Sequence, residues 1–361
     1  MNQVSSTFSF EMPSQISHMI FGEEVLLEAL EEEGRAILEQ NGNCFRFACQ
    51  GPDFFYHNQR TRPFGLKYGV AVHREGYGRL VKNLVQELLR LRDRGLPSRD
   101  DELLSAYILG FSTHAFLDRM THPFIIYFAG WVKVGDPETQ KYFRCHAYLE
   151  RIIDVLLLKE RRNTAIGTFT LLSLVDCGQQ LPYLITKTLL KSLNIAYPKM
   201  RYKSRDRRRI DNAYIDTISF YSFTDPAATQ FRQMAFERDR GPDGDYRRLA
   251  LFHPLQIPPG CDFLNLEHRS WCHPCRRGLE STASFPDLYQ EAQDLAVPAL
   301  RTIRSVLQGN KDPEEVERGL GNGSLNTGLE ASEACPLECS DPLPLWELID
   351  QLYLEMEATV P

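Results

Sequence analysis

The feature that most restricts how this chain can fold is the stretch THAFLDRMTHPF, Thr113 to Phe124. It sets His114, Asp118 and His122 four residues apart inside an apolar run. At about 100° per helical residue the three fall within an ~80° sector, so they share one face of a helix. Tyr107, Ile108, Leu109, Phe111, Phe116, Leu117, Ile125 and Ile126 surround that face and make it a poor surface for water. A charge buried there must be paired or bound to a cation, because an unpaired one costs several kcal/mol.

The same spacing returns in CHAYLERIIDVLLL, where His146 and Glu150 lie one turn apart at the head of a strongly apolar stretch. Two helices that each turn such a pair inward are a common way to build a metal site in a helical bundle. Three earlier residues belong with them: His18, which opens the first periodic stretch, Asp53 in the loop GPDFFYH, and His73 just ahead of the second. Six of the nine histidines precede residue 147, and five of those six are in this set. Imidazole and carboxylate without thiolate suit Zn²⁺ in a catalytic rather than a structural role. Eight ligands exceed what one tetrahedral ion can use, so two or three ions are expected.

Periodicity predicts helices over residues 18–40, ending near Asn41-Gly42-Asn43, then over 77–92 and 101–126, with a possible kink at Pro123. Further helical patterns cover 139–158, 168–175, 181–193, 211–237 and 288–307, and residues 44–72 read as irregular. No stretch alternates as a strand between helices, so the fold class is all-α. Residues 1–310 read as a single, mainly helical metal-binding domain. Residues 311–342, with GLGNGSLNTG, read as a loosely ordered segment, and 343–361 as a C-terminal helix that docks back.

Composition excludes several partners. The net charge of −7 and the lack of a large basic block speak against nucleic acid and anionic membranes. The one basic run, KSRDRRR (Lys203 to Arg209), reads as a solvated helix start. No run approaches ~20 apolar residues, so stable membrane insertion is not expected, and the first residues show no secretory signal. Nine cysteines, an odd number without a dense framework, point to free thiols in a reducing, cytoplasmic setting. Within them, Cys272-x₂-Cys275 has the spacing of half a small structural zinc site, which Cys261, or Cys335 with Cys339, would complete.

Taken in order, His18, Asp53, His73, His114-x₃-Asp118, His122 and His146-x₃-Glu150 resemble the zinc-dependent phospholipase C domain of bacteria, whose superfamily also holds the S1/P1 type of single-strand nuclease. The likeness covers residues 12–200. NLEHRSWCHPCRRG (Asn265 to Gly278) and SFPDLY (Ser284 to Tyr289) are similar to the C-terminal part of uncharacterised cytoplasmic members. The resemblance implies a multi-helix phospholipase C/P1 nuclease-like fold and a phosphodiesterase acting through metal-activated water on a small phosphate ester or a lipid headgroup. It implies one zinc among Asp53, His73, His114 and Asp118, a second on His122, His146 and Glu150, and a third on His18, with Asp118 bridging the third to the first. In characterised relatives a mature N-terminal Trp completes the third site. Here 17 residues precede His18, so a neighbouring carbonyl, a water or Glu11 would substitute, or the site stays empty.

Asp53 is the candidate to orient or deprotonate the attacking water, because it comes from a loop rather than from a helix face. Glu75, Thr113 and Thr121 are candidate supports for the imidazoles. Phe54, Phe55 and Tyr56 are read as substrate wall or core, His57 as a lid or exposed residue, and Arg60, Arg62 and Lys67 as steering charges. Two other functions remain open at this level: a metal-binding scaffold with weak or no catalysis, and a single-strand nuclease-like phosphodiesterase.

Overall fold

The computed structural model describes residues 15–200, 207–241, 244, 246–330, 333 and 335–359. Glu11, the first part of KSRDRRR and part of GPDGDY lie outside them. The first periodic stretch forms α1, Ile16–Ala48. Its backbone leaves helical angles at Asn41, where the Asn-Gly-Asn sequence predicts an end, yet the helix resumes. Cys44, Phe45, Phe47 and Ala48 are buried, and their burial carries the helix past a locally weak point.

The segment expected to be irregular holds more structure than its composition suggests. A 3₁₀ turn spans Asp53–Phe55, and α2 spans Phe64–Arg74. The helices α3 (Tyr77–Arg92) and α4 (Ser98–Ala129) follow the predicted periods. Helix α4 continues through Pro123, so the proline does not end it.

Helix α4 is buried on nearly all sides from Leu104 to Ala129, as a helix apolar all round must be. It packs against α1, α3, α5 (Cys145–Arg162) and α10 (Phe285–Leu307), with α6 (Leu172–Val175), α7 (Tyr183–Ala196), α8 (Arg207–Thr224) and α9 (Gln230–Arg240) completing the run to α10. The stretch read as one helix over 211–237 is two, α8 and α9, parted at Asp225-Pro226, where proline restricts the residue before it. At Gly110 α4 meets α1 so closely that a Cβ would overlap the Phe45 carbonyl. Helix α10 starts on a capping box between Ser284 and Asp287, and α11 (Glu314–Leu320) and α12 (Leu345–Thr359) follow.

The protein is therefore all-α, with one correction. Trp271–His273 and Arg276–Ser281 form a two-stranded antiparallel hairpin, β1 and β2. No helix among the described residues is long and apolar enough to cross a membrane.

The cysteines also depart from expectation. Cys44, Cys49, Cys145, Cys177 and Cys261 form no disulfide, but Cys272 is paired with Cys339 and Cys275 with Cys335. Odd count and low density cannot reveal that two segments 60 residues apart meet.

Candidate metal centre

Five elements deliver the eight residues to the middle of the fold. Helix α1 gives His18 in its first turn, the 3₁₀ turn gives Asp53, and α2 gives His73 near its C-terminal end. Helix α4 gives His114, Asp118 and His122, and α5 gives His146 and Glu150. The ligand-type atoms converge in three groups, each compact enough to surround an ion: His18, Asp53 and His114; His73, His114 and Asp118; His122, His146 and Glu150.

Asp118 is the hub. Its Oδ1 lies 3.1 Å from His18 Nε2, and its Oδ2 lies 2.9 Å from His114 Nε2, 3.7 Å from His73 Nε2 and 3.7 Å from His122 Nδ1. Asp53 Oδ1 lies 2.9 Å from His73 Nε2 and 3.9 Å from His114 Nε2. Glu150 Oε1 is 3.3 Å from His146 Nε2 and 3.6 Å from His122 Nε2. Seven of the eight are buried; only His146 reaches solvent, with 19% of its side chain exposed.

The donor set fits a cation on a specific observation. Asp53 Oδ2, His114 Nε2, Asp118 Oδ2 and Glu150 Oε2 are buried without a hydrogen-bond partner among the described residues. His114 Nε2 and Asp118 Oδ2 are 2.9 Å apart and still form no hydrogen bond, so distance alone would have suggested a pairing that orientation denies. Polar atoms left without a partner in a dry interior are costly unless a positive ion sits among them.

Electrostatics lead to the same view. Burial pushes the Glu150 carboxyl up, but His146 and His122 outweigh it and hold it near 2. Burial likewise opposes ionisation of Asp118, and His114 and His122 hold it well below the usual carboxylate range. The carboxylates therefore stay charged in a sealed site.

Backbone carbonyls orient the imidazoles. His73 Nδ1 lies 2.8 Å from Gly69 O, His114 Nδ1 3.3 Å from Cys49 O, and His122 Nδ1 3.2 Å from Leu325 O. Each contact places the proton on Nδ1 and leaves Nε2 free to ligate. Tyr56 Oη, 3.1 Å from His73 Nδ1, reinforces the first.

Thr113 and Thr121, expected in this role, instead donate to Gly110 O and Leu117 O within their own helix. Glu75 offers its carbonyl to Tyr197 rather than a carboxylate to His73. Phe54 and Phe55 are core, buried to 1%.

Leu325 belongs to a strap, residues 321–328, laid across the end of α2, the start of α3 and the interior of α4 at Arg119 and His122. Its N–H donates to His73 O at 2.7 Å, Gly78 N–H donates to Gly321 O at 2.9 Å, and the Arg119 guanidinium donates to the carbonyls of Leu320, Gly321 and Gly323. Pro123 has no N–H to offer the Arg119 carbonyl, and Gly328 abuts that carbonyl so closely that a Cβ would stand 3.1 Å from it.

Two residues near the centre carried a sequence signal that went unread. Asp154 continues the His146–Glu150 spacing by one more turn. It accepts from Gln15 N at 3.0 Å, Ser17 N at 2.7 Å, Ser17 Oγ at 2.6 Å and His253 Nε2 at 2.9 Å, capping α1 directly before His18. Gly51, two residues before Asp53, has φ +54°, and a Cβ there would overlap the His114 ring.

His57 is neither lid nor exposed. It is buried, stacks on Phe220 with ring centroids 4.5 Å apart, and has no hydrogen-bond partner on either nitrogen among the described residues. Arg60, expected as a steering charge, pairs with Asp216.

Burial, with the Arg151 charge adding to it, pushes the His57 imidazole down to about 3; burial, only partly opposed by the hydrogen bond to Asp154, pushes His253 down to about 4. Both groups are depressed below their ordinary value of 6.5. The unfolded chain therefore takes up protons that the fold refuses, and the stability they contribute is present above pH ~6.5 and lost as pH falls toward ~3. At full loss His57 accounts for about 5 kcal/mol and His253 for about 3 kcal/mol. Replacing His57 with Phe keeps the stack and removes the titration, so Tm should fall less between pH 7 and pH 4.5 in H57F than in the parent. Parallel curves would refute the assignment.

A small cleft lies beside the hub. Ser17, His18, Asp118, Thr121, His122 and Glu150 form its polar side, and Leu117, Ile125, Ile153 and Phe285 its apolar side. The family model described as zinc dependent phospholipase C matches residues 17–218, which carry all eight ligand candidates. The chain belongs to the zinc-dependent phospholipase C family. No curated protein and no solved structure matches it. Family membership together with the three ligand groups supports a metal-dependent hydrolase of this family in general.

Proposed function

We propose that this member of the zinc-dependent phospholipase C family is a phosphodiesterase that hydrolyses a small phosphate ester or a lipid headgroup at the pocket beside His122 and Glu150. The observation that carries the reading is the set of inward-turned, partnerless ligand atoms on Asp53, His114, Asp118 and Glu150 next to a pocket with one apolar wall.

Two to three zinc ions would be held: one by Asp53, His73, His114 and Asp118, one by His122, His146 and Glu150, and one by His18 with Asp118. Zinc so held supplies Lewis acidity, lowering the pKa of water and drawing negative charge on phosphoryl oxygens. Asp53 orients or deprotonates the attacking water through Oδ2, which has no hydrogen-bond partner among the described residues, while Oδ1 lies beside His73 Nε2. Leu117, Ile125, Ile153 and Phe285 shelter the ester's apolar substituent and exclude water from that side. His146 is the one member that solvent reaches, with 19% of its side chain exposed.

The test is hydrolysis of bis-p-nitrophenyl phosphate by the full chain. Activity should vanish with 1,10-phenanthroline and return with added zinc, and Tm should fall with the metal, because ligand binding to the native state alone stabilises it. Zinc bound without turnover of any phosphodiester or monoester would refute the enzymatic reading. That outcome would favour the metal-binding scaffold, which the near-complete burial of seven ligands also supports.

A further inference from the structure

The paired cysteines stand apart from the histidine–carboxylate centre and call for their own account. Cys272 and Cys275 flank the tip of the hairpin β1–β2, and Cys335 and Cys339 lie on a segment that meets this tip. The Cα atoms are 6.5 Å apart for Cys272 and Cys339 and 5.0 Å apart for Cys275 and Cys335. Pro274 O, midway between the first two, accepts from Glu338 N at 2.7 Å and Cys339 N at 3.1 Å, so both cysteine pairs face one backbone junction.

We propose that these four sulfurs form a structural zinc site, Cys272-x₂-Cys275 with Cys335-x₃-Cys339, separate from the catalytic centre and independent of its function. Both intervals fall in the range of closed, four-thiolate zinc sites, in which each short loop supplies two ligands to a tetrahedral ion. Cys261 takes no part, because it is among the free cysteines. His273 is not a ligand either: Nδ1 accepts from Cys275 N at 3.2 Å, and Nε2 lies 2.9 Å from Thr327 O.

Three observations favour zinc over a pair of bridges as the working state. Four other cysteines, Cys44, Cys49, Cys177 and Cys261, are free, and Cys44 and Cys177, which neighbour one another, stay unoxidised. Two bridges between the same two short segments are redundant: once one is closed, the second restricts little further chain. Zinc needs all four sulfurs, so both pairs have a purpose. Third, four thiolates with one Zn²⁺ carry a net charge of −2, and Arg276 and Arg277 follow Cys275 directly, with Arg277 Nη2 donating to Glu338 O at 3.0 Å across the junction. Zinc forms this centre from four thiols by releasing four protons, with no electron transfer. Each bridge would instead require the loss of two electrons and two protons.

The site ties down a segment, residues 336–343, that has no helix or strand of its own. It closes the loop that contains the strap, and His273 holds that strap at Thr327.

The test uses the full chain purified in a thiol reductant. A mercurial titrant, which attacks thiolate and leaves imidazole and carboxylate ligands alone, should release one zinc equivalent. The variant C272S/C275S should hold one equivalent less than the parent. Cobalt substitution should give a thiolate-to-metal charge-transfer band that this variant lacks, a signature no histidine–carboxylate site produces. Should the variant fail to fold, mercurial release and the cobalt spectrum of the parent still decide the matter. No mercurial-releasable zinc and no such band, or a mass four hydrogens short under reducing purification, would overturn the proposal.

Discussion

Asp118→Asn is expected to lower phosphodiester turnover by ~100-fold or more and to remove at least one of the zinc equivalents that a mercurial cannot release. The substitution preserves shape, so the loss reports charge and ligation. Oδ1 and Oδ2 of Asp118 stand within 3.7 Å of four imidazoles, and no other residue in the centre touches as many. An amide replaces one acceptor oxygen by an N–H₂ group, whose protons point at nitrogens that should face a cation. Loss of an outer support alone typically costs 10–100-fold in metal affinity or activity, so the hub itself should reach the top of that range. The metal-free proteins offer a contrast, because the asparagine removes a buried charge and should not destabilise the empty site as it destabilises the loaded one. Metal analysis, turnover and Tm with and without chelator measure all three effects. An asparagine variant with full zinc content and turnover within ~3-fold of the parent would show that Asp118 is not the hub.

Gly51→Ala should be nearly as damaging although it removes no ligand atom. Two costs separate cleanly. A left-handed backbone, φ +54° at Gly51, opposes alanine by about 1 kcal/mol. Gly95 has φ +80° with nothing within 4 Å of an added Cβ, so Gly95→Ala pays that cost alone. At Gly51 the Cβ would also overlap the His114 ring. That ring cannot retreat easily: it is fully buried and stacked on His18, with centroids 4.2 Å apart. Either the ring or the Asp53 loop must move. A displacement of ~1 Å at a reacting group can cost about 10²-fold in rate. G51A is therefore expected to lose ~100-fold in turnover and several degrees more Tm than G95A. Equal behaviour of the two variants would mean that the approach of this loop to His114 has no functional weight.

Much of this centre was legible in order and spacing. Four-residue intervals on apolar helices specify which side chains share a face, and burial follows from the neighbours; His114, Asp118, His122, His146 and Glu150 needed no more than that. His18, Asp53 and His73 were visible only as further donors upstream, and the family likeness assigned them to ions, since nothing local ties a loop aspartate to a helix 60 residues away. What stayed hidden depends on backbone atoms and long-range closure. The carbonyls of Gly69, Cys49 and Leu325 that orient the histidines belong to residues whose side chains say nothing about the role. The continuation of α1 beyond Asn41 is decided by what Phe45 and Phe47 bury, not by local propensity. His57 resembles any loop histidine until the aromatic rings of α8 close over it. Asp154 was within reach, because it lies on the same helical face as Glu150, one turn on.

The strap has a consequence for where this family's chemistry ends along the chain. The matched region, residues 17–218, contains all eight histidine and carboxylate candidates of the central site, yet the carbonyl that fixes the His122 tautomer comes from Leu325. A fragment cut at the family boundary would keep all eight donors but lose the carbonyl beside His122, the amide on the His73 carbonyl, and α10, which packs along α4. Minimal-domain expression, the usual economy for a chain of this length, would here yield a protein complete in its ligands and wrong in their aim.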